Sequence, residues 1–579
     1  MLLMEAAEKV GEFLARLPAV RSICWDDRVM QGFERPDAGL WDVSALVGHL
    51  MPDSGMFAFL AGHRGEVFPD ADWADLFAEL GRPSEPATRM AAIMTLQALH
   101  GFSDRETAEA VRFDLRWKLA CGLALDDPGI HPTSLVVWRR RVAGSARPHR
   151  LNEAVRRVVG ATGILAGRRR RMADSTIVAD AVASQDTVTQ LIAAMRRVMR
   201  QVPGAAALIT RECTGFDYLH GRRPVIDWSD PAAAEELISA LVNDADAVVA
   251  ALHDAELEDG PAAALALLAA TAGQDVEPAE GSDGTDGRWR IARAVAEDRI
   301  ISQVDPESRH ARKNWHTRTD GYRAHLAAEP GTGIITDEDL TMACGPGCSD
   351  GEAAARFLAA EHEQDGHGQG SGAGGGAARG GGPGQDTGDG HLTWYADSAY
   401  GTGELRAAIA AAGDTAVIKP KTPRPPVIEG GFSTDDFTID HAARTATCPA
   451  GTTRPVTGSG RVYFGAACRG CPLRARCTPS RTGRTLHLTV HDQLLRQARR
   501  DWAEDRALRQ DYRTTRPHVE RTVAQVATSR GRRIKLRYRG TAKNRAWLKT
   551  RTAAVNLTTL LRHGLTRAGG TWTAAPATR

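Results

Sequence analysis

Across residues 40–160 apolar side chains recur every three or four positions, the period of helices with one buried face. A first helix is predicted from Met90 to Leu99, closed by a turn at His100-Gly101. The next opens on Ser103 with Glu106 three residues on, the spacing at which two side chains satisfy the backbone of a helix start reciprocally. In "HPTSLVVWRRRV" a third helix is predicted to begin after Thr133 or Ser134 and to end in Arg139, Arg140 and Arg141. Helices joined by a short Gly-containing turn, with a basic third member, fit a helix-turn-helix DNA-binding unit, and equally a small bundle that touches no groove.

The texture changes at "GRRRRMADSTIVADA", where Met172–Val178 has strand character and carries Asp174. A long helical stretch comes next, including "DTVTQLIAAMRRVMRQV" and an acidic segment. Strand character returns in "GYRAHLAAEP" and "GIITDEDLTMA", separated by Gly331 and Gly333 as in a hairpin. Ser349–Glu361 reads as a helix. Residues 365–391 have no apolar content to bury and are predicted to be a flexible loop. Then come the strand of "WYADSAYGTGEL" with Asp397 at its end, a helix over 403–412, a strand from Thr415, an insertion over about 425–495, and helices. The order is strand, strand, strand, helix, strand, helix, strand, with a large insertion after the first. It predicts an α/β protein of the ribonuclease H-like plan: a mixed sheet flanked by helices, with a helical N-terminal domain and two insertions.

At 579 residues the chain is too long for one core, so two to four domains are expected. No apolar run approaches the ~20 residues of a membrane span. The N-terminal stretch carries acids and lacks a basic n-region, so no secretory leader is expected and a cytoplasmic protein is the default. Charge is uneven. Arg481–Arg579 holds 23 Lys and Arg against 6 Asp and Glu, whereas Asp244, Asp246, Asp254, Glu256, Glu258 and Asp259 crowd an acidic stretch. The basic end implies a polyanionic partner or a solvated face. Of nine cysteines, Cys24, Cys121 and Cys213 stand alone and read as packing residues.

Neighbouring strands can bring Asp174 and Asp397 close together, and two ionised carboxylates at short range demand protonation or a cation. A hard divalent ion with oxygen ligands answers that demand. A third carboxylate is expected from a helix on the sheet. In "DYRTTRPHVERTVAQV" the stripe Val519, Val523 and Val526 faces inward beside Glu520, and Pro517 predicts that Glu520 lies near a helix start. Arg513, Arg516 and Arg521 surround it, as suits a site that also holds phosphate.

These blocks, with "DRIISQVDPESRHARKNWHTRTDGYRAHLAAEPGTGIIT", "FGAACRGCPLRARCT" and "RYRGTAKNRAWL", resemble the DDE transposases of bacterial insertion sequences. The resemblance implies that Asp174, Asp397 and Glu520 are the metal-binding acids. It implies about two Mg²⁺ or Mn²⁺ ions, some 4 Å apart, serving strand cleavage and then strand transfer. Tyr512 and Arg516 match family positions before the glutamate. At the family's lysine position stands Ala527, with Arg530, Arg532 or Arg533 as replacements. Arg513, Arg521, Arg537, Arg539, Lys543 and Arg139–Arg141 complete the expected DNA contacts. The implied partners are double-stranded DNA, at element ends and target, and a second copy of the chain in the synaptic complex; no membrane is expected. The alternatives are a ribonuclease H-like DNA nuclease without strand transfer and a DNA-binding regulator without turnover.

"CRGCPLRARC" and the upstream "CPAG" supply Cys448, Cys468, Cys471 and Cys477, which suit a tetrahedral structural Zn²⁺ or reduced buried thiols. Cys344 and Cys348 form a lesser pair. Asp320 reads as a strand-start or turn residue, and Trp394 as packing. The expected division is 1–165 (helical, DNA-binding), 166–199 (first strand), 200–300 (helical acidic insertion), 301–424 (core), 425–495 (Cys insertion), 496–565 (catalytic helices and basic region) and 566–579 (flexible tail).

Overall fold

The computed structural model describes residues 31–33, 42–52, 55–79, 83–220, 224–294, 296, 298–312, 318–368, 391–423, 426 and 428–575. Cys24, most of the expected loop at 365–391 and the last four residues lie outside them. By its contacts the chain divides into two units: Met1–Gln97 with Phe102–Val155, and Ala98–Gly101 with Arg156–Arg579.

The first unit is helical. The stripe Met90, Ile93 and Leu96 of helix Ala87–His100 is buried along with Val111, Trp117, Leu135 and Trp138. Helix Asp104–Phe113 has the expected reciprocal cap: the Glu106 carboxylate accepts from the Ser103 N–H at 2.6 Å, and Ser103 Oγ from the Glu106 N–H at 3.2 Å. A further short helix, Leu115–Cys121, lies between the second and third expected ones. The third spans Pro132–Ala143 and starts earlier than expected. Proline suits a first helical position, and His131 Nδ1 accepts the Thr133 N–H at 3.3 Å as the cap.

The second unit is built on a mixed sheet. Its strands are β1 (Arg170–Ala179), β4 (Arg309–Arg312), β5 (Arg318–Ala328), β6 (Ile335–Met342), β7 (Thr393–Ala396) and β8 (Thr415–Ile418), and a small hairpin, β2 (Val276–Pro278) with β3 (Trp289–Ile291), lies apart. The path is β4-β5-β1-β7-β8, with β6 paired to β5. β1 is antiparallel to β5 and parallel to β7, which is parallel to β8. β4 went unread in the sequence because four residues carry too little pattern. Both faces are covered. Ala173, Trp394 and Ala396 pack with Phe357, Leu358, Leu405 and Ile409 of helices Asp350–Gly368 and Gly403–Ala411. On the other face Met172, Tyr395 and Val417 meet Val519, and Leu326 and Leu340 meet Val526 and Leu548, from helices Arg506–Ala527 and Thr541–Arg562. Each such buried aliphatic side chain stabilises by about 1.5–3 kcal/mol.

Between β1 and β4 helices Thr187–Gln201, Ala205–Glu212, Pro231–Leu252 and Asp259–Gln274 form a bundle with its own core around Leu191, Met195, Leu241 and Leu268. Asp244, from the acidic stretch, is buried there and accepts the Tyr218 hydroxyl at 2.9 Å. Between β8 and the last helices lies a small module of three-residue strands within 438–487, which holds the four clustered cysteines or their immediate neighbours.

Three expectations are corrected. Pro517 lies inside helix Arg506–Ala527, so Glu520 sits well along it and not near its start. The carbonyl of Arg513 loses its helical partner to the proline ring, but Pro517 and Arg513 are both exposed and water can serve it. Residues 365–368 end a helix rather than begin a loop. The expected flexible tail opens with a hairpin, Thr566–Ala568 against Thr571–Thr573, in which Gly569 and Gly570 have φ of 57° and 83° and Trp572 is buried. Two left-handed residues are what a two-residue hairpin turn requires. Among the described residues no helix is long and apolar enough to cross a membrane.

Candidate active site

Alternation along β1 decides which side chains share a face. Met172 and Asp174 point toward helix Arg506–Ala527, whereas Ala173 belongs to the opposite core. Parallel pairing of Met172 with Tyr395 sets the end of β7 beside Asp174. There the chain turns: Asp397 Oδ1 accepts the Ala399 N–H at 2.8 Å and caps the turn Ser398–Tyr400. Across from both, Tyr512, Arg516 and Glu520 recur at four-residue intervals along one helix face.

The three acids meet on one guanidinium. Arg516 Nη2 lies 3.0 Å from Asp174 Oδ2 and 3.7 Å from Asp397 Oδ2, while its Nε lies 3.6 Å from Glu520 Oε1. Asp174 is buried, Asp397 more open, and Glu520 mostly exposed at 63%. The Ser175 N–H holds the other Asp174 oxygen at 2.9 Å. Burial pushes the Asp174 carboxyl above the usual carboxylate value, with Arg516 opposing and Asp397 adding to the rise. Burial likewise raises the Tyr512 hydroxyl. Arg516 Nη1 is buried with no protein acceptor.

Among the described residues no three His, Cys, Asp or Glu form a ready metal cage. The carboxylates surround a guanidinium here, and its size sets their spacing. The donor set nevertheless fits a hard divalent ion: acid oxygens from three separate elements, already gathered about one positive charge.

A second polar layer lies behind the acids and was not foreseen. Asp350, in the first turn of its helix, is 3.1 Å from Arg323 Nη1 and 3.4 Å from His325 Nδ1. His325 pairs across the sheet with Ser175, the neighbour of Asp174. Tyr400, buried three residues after Asp397, is raised well above its usual pKa by burial and then by Asp350, Asp174 and Asp397. The only hint in the sequence is the alternation of Arg323 and His325 within a strand.

The basic residues differ in availability. Arg513, Arg521, Arg532, Arg533, Arg537, Arg539 and Lys543 are exposed. In the other unit Arg140 is exposed, whereas Arg139 is turned inward to Asp104 at 2.5 Å and Arg141 lies over the Phe77 ring. Asp320 lies within β5 and pairs with His310, and Trp394 is buried, donating to Asp414 at 3.0 Å. Cys344 and Cys348 contact the carbonyls of His310 and Pro346 respectively.

Residues 447–561 match a family described as "Transposase DDE domain", and residues 64–141 match one described as "Transposase domain (DUF772)". Both matches, together 193 of the 579 residues, are to transposase domains and indicate an insertion-sequence DDE transposase. The first match holds Tyr512, Arg516, Glu520 and the four clustered cysteines; Asp174 and Asp397 lie outside both matches and rest on geometry. No curated protein and no solved structure matches the chain.

All four cysteines are free. Cys448 comes directly after strand Thr445–Thr447, Cys468 ends the turn Gly465–Cys468, and Cys477 ends helix Arg474–Cys477. With Cys471 they line one cavity of about 160 Å³. Burial pushes the Cys477 thiol up, with Arg484 opposing.

Proposed function

We propose that this transposase cuts DNA at the inverted-repeat ends of its element and joins the freed ends to a target, with Asp174, Asp397 and Glu520 as its catalytic acids. The observation that carries the reading is their convergence on Arg516 from two strands and a helix. The core is read as ribonuclease H-like: strand order, with three antiparallel pairings on one side of β1 and parallel ones on the other, supports that plan. Two such acids on the central parallel pair fit a phosphoryl-transfer site.

Asp174, Asp397 and Glu520 would hold Mg²⁺ or Mn²⁺. Bound there, such ions supply Lewis acidity that activates an oxygen nucleophile and offsets charge on the leaving oxygen. Asp174 is the fixed member, held by the Ser175 N–H and buried. Glu520, exposed, is the member nearest to incoming DNA. Arg516 competes with any cation for the same carboxylates, so its charge is free to turn to phosphate once they are otherwise neutralised. Its unpartnered Nη1 supports that role, since a buried donor without an acceptor costs about 1–3 kcal/mol. Exposed Arg513, Arg521, Arg532, Arg533, Arg537, Arg539 and Lys543 would hold flanking phosphates, and Arg140 those met by the helical unit. Two copies of the chain would pair the two ends.

The test is cleavage and joining of a labelled DNA carrying the element's ends, with Mg²⁺ or Mn²⁺. The wild-type chain is expected to nick and transfer the labelled strand. Nicking that persists in Asp397→Ala would remove the acids from the mechanism, and nicking without joining would leave a nuclease.

A further inference from the structure

We propose that Cys448, Cys468, Cys471 and Cys477 bind a structural zinc ion that closes the module between Phe432 and Leu488. The module is small. Its strands are three residues long, and its core consists of Phe437, Ala446, Val462, Phe464, Leu486 and Leu488, against which three of the four cysteines pack. Folds below roughly 70–80 residues seldom hold on so little apolar surface and are commonly stapled by a metal or disulfides. Disulfides are not what this module uses, because all four thiols are free.

The cysteines come from separate turns and line the same cavity. That is how a chain builds a four-sulfur tetrahedral site, with the C-x₂-C pair supplying two ligands and distant turns the others. Burial works against the Cys477 thiolate and Arg484 for it. The Arg484 backbone N–H points at Cys468 Sγ at 3.5 Å, and Arg474 and Arg484 are among the residues that line the cavity. Four thiolates around Zn²⁺ carry a net double negative charge, which two arginines offset. Among the described residues no three such ligands already form a metal cage, so the proposal requires the cysteine side chains to turn inward between staggered χ1 wells to reach Zn–S bonds of about 2.3 Å.

The module is tied to the next helix along the chain. Arg496, buried in helix Asp492–Glu504, donates to the carbonyls of Phe437 at 3.1 Å and Thr434 at 2.8 Å, and Arg499 forks onto Asp435 at 2.5 and 2.7 Å. That helix leads directly into the one bearing Arg516 and Glu520. The zinc would therefore steady the base from which the glutamate helix departs.

Elemental analysis of the full-length chain, purified without chelator, is expected to find about one zinc per chain. Cobalt-substituted protein should show thiolate-to-cobalt charge transfer and tetrahedral d–d absorption. Cys471→Ser and Cys477→Ser should each lower zinc content at least tenfold, while Asp397→Asn, which disables the proposed acids, keeps it. Chelation of the wild-type chain should speed proteolytic cutting within 432–488. Wild-type protein without zinc, and with all four thiols open to a thiol reagent, would overturn the proposal whatever the variants do.

Discussion

Arg516 and Asp174 are joined at 3.0 Å although 342 residues separate them, and that pair places a fixed positive charge against the most buried acid of the site. Arg516 opposes the effect of burial on Asp174, so replacing it lets the Asp174 pKa rise further. Metal binding needs the ionised carboxylate. In Arg516→Gln the pH midpoint of Mn²⁺ binding should therefore move up. At pH well above that midpoint the variant should bind Mn²⁺ more tightly than the wild type, because the competing cation has gone. DNA cleavage should fall by about 10²–10³, the usual effect of losing one preorganised charge from a reacting centre. Calorimetric titration across pH checks the crossover, and parallel curves without one would show that Arg516 does not share its carboxylates with metal.

Asp174 also makes a prediction about stability. Its folded-state pKa is raised, mainly by burial, so its contribution to stability is fully present below the ordinary carboxylate pKa and is lost as pH rises through the folded value. Asp174→Asn mimics the protonated form. The variant should melt at a higher temperature than the wild type at neutral pH, with the gap closing on acidification, while cleavage is abolished. Thermal melts between neutral and acid pH read the sign directly; a gap that widens in acid would reverse the assignment.

In the helical unit the Ser103–Glu106 cap is open to a simpler measurement. Ser103→Ala removes an acceptor for the Glu106 N–H and should cost about 0.5–2 kcal/mol. Ser103→Gly should cost less. Denaturant unfolding followed by signals from Trp117 and Trp138, both buried in this unit, distinguishes that loss from effects elsewhere.

The same cap shows how much was legible in the sequence. Local spacing carries its own geometry, so the Ser103 cap, the β5–β6 hairpin and the turn after β7 could all be read from neighbouring residues. Asp174 and Asp397 could be expected as neighbours because one was read on a strand and the other at a strand's end, and the pairing of β1 with β7 brings those positions together. Arg516 was legible as a charge but not as a direction: the sequence suggested a phosphate ligand, whereas the structure turns it onto three acids. Pro517 misled because the helix runs on through it, with Arg513 and Pro517 both exposed so that water can serve the carbonyl the proline leaves unpaired. Asp350 and His325 were hidden for a different reason, since their meeting depends on the β1–β5 register and on where a separate helix begins. The tail hairpin turns on Gly569, Gly570 and a single buried Trp572, too short a signal to rise above a flexible end.

The last expectation concerns the exposed arginines and lysine past the glutamate helix. Arg532 and Arg533 form one strand of a two-residue hairpin, with Arg530 and Gly531 at φ of 51° and 76° making its turn, and Arg539 and Lys543 flank the start of helix Thr541–Arg562. All four side chains are exposed, so replacing them should leave folding nearly unchanged. If they contact phosphates, each releases counterions on binding, and log affinity falls with log salt by about 0.9 per contact. Replacing all four with Gln should therefore flatten the salt slope by up to about 3.6 and weaken binding to any DNA sequence alike. Arg140→Gln tests the helical unit in the same way, with an expected change of about 0.9. Fluorescence anisotropy across a salt series measures both. A variant that loses affinity only for element-end DNA at unchanged slope would mean these residues read bases, and one that loses nothing would make the basic end a solvated face.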